Sequence, residues 1–156
     1  MNLNYQQAGV VVRGTGAASG RDNYKTQGGT IRMQRPFFEK AGLDFGNLWN
    51  GTINVDVSPA RFVPVNPYMK VQAVDWDHSG SPEDFSFFRV NLEHAGDPYD
   101  GYVYLPHPET KKGVFPGFGV LELIMPKIPG LAVGSLVVVT VVSSELVFVY
   151  GEDIGA

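Results

Sequence analysis

Thr52 and Asn54 lie two positions apart at the start of a predicted strand, in the segment Gly51-Thr52-Ile53-Asn54-Val55. Because side chains alternate along a strand, these two point to one face and Ile53 points to the other. A hydroxyl and an amide oxygen at this spacing can contact one hard cation. Both ligands are neutral, so they would hold Mg²⁺ only where phosphates supply most of the negative charge. The residues also allow a simpler role, in which both side chains satisfy neighbouring backbone groups.

A glycine-rich stretch follows the first predicted strand and has the sequence Gly14-Thr15-Gly16-Ala17-Ala18-Ser19-Gly20; we call it the glycine loop. Glycines allow backbone amides to approach an oxyanion closely, and the Thr and Ser hydroxyls add donors. The loop lacks the spacing of the dinucleotide fingerprint, and no Gly-Lys-Ser/Thr P-loop occurs in the chain. The pattern therefore predicts either a phosphate cradle of another kind or a flexible turn.

Glu122 is a carboxylate in an otherwise apolar strand, Val120-Leu121-Glu122-Leu123-Ile124-Met125. Such a residue is paired, lies on a polar face, or has a function. On a half-exposed strand it would have no special role. At the mouth of a barrel it would orient a ligand.

Other kinds of catalytic and metal site have little support. The chain has no cysteine, which excludes disulfides and thiolate metal sites. The three histidines, His78, His94 and His107, lack the one-turn helical spacing of zinc proteases and are interpreted as polar residues in turns. No Gly-x-Ser-x-Gly segment is present to indicate a serine hydrolase.

Glycine and proline are frequent, with 19 and 11 residues, which is typical of a fold with many short strands. One helix is predicted, with Pro36 in its first turn, an apolar stripe of Phe37, Phe38 and Ala41, and a stop at Gly42. A second short helix or helical turn is predicted at residues 130–133. The predicted strands are Gly9–Arg13, Thr52–Val57, Arg61–Val65, Met69–Trp76, Phe85–Glu93, Tyr102–Leu105, Val120–Met125, Leu136–Val142 and Glu145–Tyr150. Many strands with one helix predict an all-β closed barrel.

The length of the chain indicates one domain, residues 1–156, and the net charge is −4. The first 40 residues hold six Lys/Arg and two Asp/Glu, whereas the remainder holds six and fourteen. The basic part suits phosphates, and the acidic remainder argues against a nucleic-acid partner. The N-terminus has no secretory pattern, and the longest apolar run, Leu136–Val142, is too short to cross a bilayer. We therefore expect a cytoplasmic protein with no membrane partner.

The chain resembles a known family, the archaeal CTP-dependent riboflavin kinases. The resemblance covers most of the chain, roughly Ala8 to Val142, and depends on the order of several short segments. Those segments are Gly9–Gly16, the helix before Gly42, Gly51–Val55, Gly101–Thr110 and Leu121–Val141. It implies a closed cradle-loop barrel of six or slightly more strands, with one short helix.

The resemblance also implies a kinase site in which CTP gives a phosphate to riboflavin or a similar hydroxyl acceptor. Thr52 and Asn54 would hold Mg²⁺, and Thr110 and Glu122 would contact the flavin-like acceptor. Glu122 would also orient the attacking hydroxyl or accept its proton. The nucleotide would be bound by Gly14, Thr15, Gly16, Ala17, Ala18, Ser19, Lys127, Ile128, Pro129 and Gly130.

The chain differs from the family pattern in three places. Ala17-Ala18-Ser19 replaces a Gly-Glu-Gly continuation of the glycine loop, and the connections after this loop and after Thr110 are longer. Two alternatives to the kinase hypothesis therefore stay open. One is a non-catalytic barrel that binds a small ligand or a protein. The other is a homo-oligomer formed through the apolar strands of Leu136–Tyr150.

Overall fold

The computed structural model describes residues 5–14, 30–76, 81–107 and 119–150. These residues form nine strands and one helix, and each of the nine predicted strands corresponds to one that is present. The elements are β1 (Gln6–Val12), α1 (Thr30–Lys40), β2 (Ile53–Asp56), β3 (Arg61–Pro64), β4 (Met69–Val74), β5 (Glu83–His94), β6 (Asp97–Pro106), β7 (Val120–Ile124), β8 (Leu136–Val141) and β9 (Leu146–Val149).

Six antiparallel strands form a ring in the order β5-β6-β7-β2-β1-β8. The ring is closed by the pairing of β8 with β5. The long strand β5 closes the ring because its second half pairs with β8, while its first half pairs with β4. Strands β3 and β9 form a separate two-stranded sheet. The predicted all-β fold, a closed six-stranded ring with one short helix, is confirmed.

The strand directions bring several distant segments to one end of the ring. Strands β1 and β7 are both antiparallel to β2, so they finish where β2 begins. This end, which we call the glycine end, therefore contains Gly14 after β1, Thr52 before β2 and Lys127 after β7. The opposite end contains the end of β6 and the start of β7.

The main hydrophobic core fills the interior of the ring. Every ring strand contributes the residues of one face, for example Val55 from β2 and Leu121 and Leu123 from β7, all fully buried. The small sheet adds Phe62 and Phe148 to this core. Since Val55, Leu121 and Leu123 point inward, the alternate residues of β2 and β7 lie on the outer face of the ring.

A second core lies on the outer face, where α1 covers strands β4, β5 and β6. Phe38 of α1 is fully buried and packs edge-on against Phe85 and Phe87, with ring centroids 5.1 and 4.8 Å away. Edge-to-face contacts of this kind add to the stabilisation from burial. The segment after the helix supplies Phe45 and Leu48 to the same core, so both the helix and its exit are fixed to the sheet.

Helix α1 starts six residues before the predicted position. Pro36 was expected in the first turn, but it lies inside the helix, and the buried side is formed by Ile31, Gln34 and Phe38. Phe37 is 37% exposed, so it does not belong to the expected stripe. The signal was missed because the buried face includes a polar residue, Gln34.

The predicted stop at Gly42 is confirmed. Gly42 has a φ of 110°, its N–H bonds to Glu39, and the N–H of Leu43 bonds to Phe38. This pair of bonds is a Schellman motif, and Leu43 and Phe38 pack in the same core. The motif therefore ends α1 at this point.

Two other boundaries differ from the prediction. Strand β6 begins at Asp97, because the tight turn of Ala95 and Gly96, with φ values of 51° and 84°, extends the β5–β6 hairpin. Residues 130–133 form no helix; Gly130 and Gly134 have positive φ values in two separate turns. Within the described ranges, no helix is long and apolar enough to span a membrane.

Candidate functional site

Three polar side chains form a row across the outer face of the ring. Asn54 of β2 pairs directly with Glu122 of β7. On the other side of β7, Val103 of β6 pairs with Leu123, so Tyr104 lies opposite Glu122. Directly opposite residues on one face have β-carbons about 4.5–5.5 Å apart. The row Tyr104-Glu122-Asn54 therefore brings a phenol, a carboxylate and an amide into contact range across three strands.

The first glycine of the glycine loop packs on the end of this row. A β-carbon at Gly14 would overlap the side-chain amide nitrogen of Asn54 and lie 2.9 Å from its Cγ. Only glycine therefore allows the chain to pass so close to Asn54 without moving the amide. Gly14 and Asn54, 40 residues apart in the chain, are brought together at the glycine end of the ring.

Tyr104 lies at the buried end of the row. Its hydroxyl donates a hydrogen bond to Oε1 of Gln34 on α1 at 2.7 Å, and both side chains are buried. Burial raises the pKa of Tyr104 well above its ordinary value, and the carboxylates of Glu122 and Glu83 raise it further. Tyr104 is therefore held as the neutral phenol at physiological pH, with its hydroxyl hydrogen bonded to Gln34.

Glu83 and Glu122 lie in different surroundings beside Tyr104. Glu83 is 3% exposed and accepts a hydrogen bond from Nε1 of Trp76 at 2.5 Å, so its carboxylate is held inside the protein. Glu122 is half-buried, and of these two carboxylates it is the one that a ligand can reach. Glu122 lies on the outer face in the middle of the row, and the strand alternation turns it away from the interior of the ring.

Trp49 is an aromatic side chain at the glycine end that sequence reasoning did not select. Its ring packs over Gly51, where a β-carbon would lie 2.5 Å from Cζ3, and 44% of the residue is exposed. Its backbone N–H donates to the carbonyl of Met125 at 3.0 Å, which ties the residue to the end of β7. The pattern Trp-x-Gly immediately before Thr52 was the available signal.

Arg35 of α1 fixes the segment that leads into β2. Its guanidinium donates to the carbonyl of Leu48 at 3.1 Å and to Oδ1 of Asn50 at 3.0 Å. It also lies over the ring of Phe45, 4.9 Å from the centroid. These contacts hold the backbone just before Thr52, which lies next to β2 and two residues from Asn54.

The remaining predicted residues are placed less closely. Lys127, Ile128, Pro129 and Gly130 follow β7 at the glycine end; Lys127 is exposed, and a β-carbon at Gly130 would lie 4.0 Å from Cε1 of His94. Thr15, Gly16, Ala17, Ala18, Ser19 and Thr110 lie outside the described residues. The strand ends on either side of Thr110 lie at the end of the ring opposite Gly14.

The donor set at the glycine end suits Mg²⁺ only together with a polyphosphate. In the described part of the chain, no three His, Asp or Glu side chains come together as a metal site. Thr52, Asn54 and Glu122 offer a hydroxyl, an amide and one carboxylate, which are hard oxygen donors of low total charge. Mg²⁺ bound to a nucleotide needs few protein ligands, because phosphates and water complete its octahedron.

A scan against protein-family models finds no match to this chain, and a search of the curated proteins finds none either.

Proposed function

We propose that this protein is a riboflavin-kinase-like phosphotransferase that binds Mg²⁺ and a nucleoside triphosphate, with CTP favoured, at the glycine end of the ring. The observation that supports this proposal most strongly is the close packing of Gly14 on Asn54, with Asn54 directly opposite Glu122. A close backbone approach, a neutral metal ligand and an accessible carboxylate are then adjacent. Phosphoryl transfer needs this combination of positioning and charge neutralisation more than it needs covalent chemistry.

The nucleotide would bind between the glycine loop and the segment after β7. Backbone amides that follow Gly14 would face its phosphates, and Lys127, an exposed cation at the same end, would add positive charge. Trp49 supplies an exposed aromatic face between Thr52 and Met125 on which a base can stack. Stacking is tolerant of base identity, so the preference for CTP would depend on hydrogen bonds made elsewhere.

Thr52 and Asn54 would hold Mg²⁺ against the phosphates, and the metal would neutralise charge on the group being transferred. Glu122 would receive the acceptor hydroxyl on the other side of Asn54 and orient it or take its proton. Tyr104 stays protonated beside Glu122 because its phenol is buried and near two carboxylates. Among the three side chains of the row, Glu122 would therefore be the one that accepts the proton.

The test is product formation. The protein, Mg²⁺, CTP and riboflavin are incubated together, and the phosphorylated flavin is measured by chromatography. Glu122→Gln should lower the rate about 10²- to 10⁴-fold, as expected for a general base, while CTP affinity stays within a factor of about two to three. Glu93→Gln, an exposed carboxylate on β5, is the matched control. Equal rates for wild type and Glu122→Gln would remove Glu122 from the mechanism.

The alternative function, a non-catalytic binding barrel, is separated by the same assay. Binding of CTP without any phosphorylated product from riboflavin would favour it over the kinase. Glu145 is 5% exposed, and its two oxygens accept hydrogen bonds from Arg89, so a carboxylate in this fold can serve to link two elements.

A further inference from the structure

A second concave site lies on the outer face, away from the row of Glu122. It is a cavity of about 540 Å³ between the outer face of β5, β6 and β8 and the segment of residues 44–48. Pockets for small molecules are typically about 300–1,000 Å³, so one small ligand fits. Phe45 and Leu48 belong to both this wall and the core under α1.

The polar side chains in the floor of the cavity are held in place by one another. Nδ2 of Asn91 donates to Oδ1 of Asp100 at 2.9 Å, across the β5–β6 pair. Thr140, opposite Asn91 on β8, accepts from Nε2 of Gln6 at 3.1 Å. The hydroxyl of Tyr102 donates to the carbonyl of Asp44 at 2.9 Å. The floor is therefore organised before any ligand arrives, which lowers the entropy cost of binding.

The hydrogen-bonding groups that these contacts leave available are mixed. Asn91 retains its amide oxygen and one N–H, Asp100 retains its second oxygen, and the hydroxyl hydrogen of Thr140 can be donated. Closely spaced donors and acceptors match hydroxyl groups, since each hydroxyl both donates and accepts. The side chain of Val142 adds apolar surface to the lining, which suits C–H groups.

The charge in the cavity disfavours anions. Its lining holds the carboxylates of Asp44 and Asp100 and the guanidinium of Arg89. Arg89 is already engaged, because its Nε donates to Oε2 of Glu145 at 2.7 Å and its backbone N–H donates to Oε1 at 2.9 Å. A phosphate or carboxylate ligand would therefore meet two carboxylates without an uncommitted cation.

We propose that this cavity binds a neutral saccharide of one or two rings, with vicinal hydroxyls on the Asn91–Asp100 pair and C–H groups against the apolar lining. The lining shares no residue with the proposed phosphotransferase site, so this proposal does not depend on that one. Neutral sugars carry hydroxyl groups, which can bond to the polar side chains of the floor. They also carry C–H faces, which can pack on the apolar part of the lining.

The proposal is tested by titrating ¹⁵N-labelled protein with glucose, mannose, galactose and N-acetylglucosamine, followed by amide chemical shifts. Saturable shifts at residues 44–48, Asn91 and Asp100 with at least one sugar are expected. Asn91→Ala and Asp100→Asn should each weaken that sugar about fivefold to tenfold, as for one lost hydrogen bond. Glu93→Gln, two residues along β5, should leave its affinity unchanged.

Several results would overturn the proposal. These are no shift with any of the four sugars, shifts confined to other parts of the protein, or affinity that is equal in wild type and Asn91→Ala. Inorganic phosphate is titrated in the same way as a comparison. Saturable phosphate shifts at Asn91 and Asp100 would show an anion site and contradict the charge argument. The amide spectrum also reports whether each variant is folded. If Asn91→Ala is misfolded, the affinity of the conservative variant Asp100→Asn decides whether the proposal stands.

Discussion

The backbone of Gly14 lies so close to the side chain of Asn54 that a single methyl group between them would overlap the amide. Gly14 follows strand β1 by two residues, and β1 pairs directly with the strand of Asn54, since Val12 is opposite Asn54. The contact joins the start of the glycine loop to the proposed metal ligand. It gives the proposed site an arrangement that substitutions can test.

Asn54→Ala should weaken CTP binding in the presence of Mg²⁺ and have little effect in a chelator. Asn54 would act through the metal, so its removal matters only when the metal is present. We expect a loss of about 1.5–3 kcal/mol, the range for a polar contact to a charged group. Titration calorimetry of wild type and variant in both buffers measures the difference. Equal losses in both buffers would show that Asn54 is not a metal ligand.

Gly14→Ala should displace the amide of Asn54 and lower CTP affinity in Mg²⁺, while thermal stability changes little. The new methyl group meets the end of a flexible side chain, which can rotate away without moving the backbone. Gly119→Ala is the matched control, because its nearest neighbour would be Oγ of Ser58 at 3.2 Å, at the other end of the ring. If Gly14→Ala and Gly119→Ala bind CTP equally well, Gly14 has no part in the site.

Trp49→Ala should weaken nucleotide binding by about 1–3 kcal/mol, the range for loss of one stacked base. Trp49→Phe should keep most of the affinity, because it retains an aromatic face. Calorimetric titration of CTP into both variants gives the comparison. Phe37→Ala is a control, since Phe37 is also an exposed aromatic residue but lies on α1. Tight binding by Trp49→Ala would exclude stacking at this position.

Tyr104 should make the protein less stable at high pH. Its folded pKa is raised above the unfolded value, so the stabilisation is fully present below about pH 10 and is lost as the pH rises beyond it. Tyr104→Phe should cost about 1–3 kcal/mol at pH 7, because Gln34 loses its buried donor. The same variant should then lose less stability than wild type between pH 7 and about pH 11.

Urea unfolding at the two pH values measures this difference. Tyr5→Phe is the control, because Tyr5 is 58% exposed and the change should preserve the wild-type alkaline loss. An alkaline loss of the same size in Tyr104→Phe and wild type would contradict the role given to Tyr104.

The strands were predictable because their signals are local. Alternation and β-branched runs located all nine, and the glycine at position 42 located the end of the helix. The start of α1 was not predictable from Pro36, since proline is tolerated inside this helix, where residues 30–35 come before it. The turn between β5 and β6 was missed because Ala95 has a positive φ, a conformation that Gly or Asn usually adopts in such turns.

The candidate site was predictable in part. The residue types of Asn54 and Glu122 drew attention to both, but their direct pairing depends on strand order, which no local pattern encodes. The contact of Tyr104 with Gln34 spans 70 positions and lies under α1, so no sequence spacing could indicate it. Trp49 was overlooked because its ring is positioned by packing over Gly51, a contact that the residue types alone do not indicate.

Calorimetric titration of CTP into the wild-type protein, with Mg²⁺ and then with riboflavin added, tests the central claim most directly. We predict saturable heat for CTP at one nucleotide per chain, with weaker binding when a chelator removes Mg²⁺, and a further saturable heat for riboflavin. ATP in place of CTP reports the base preference. Absence of binding heat for CTP, ATP and riboflavin alike would contradict the proposed phosphotransferase.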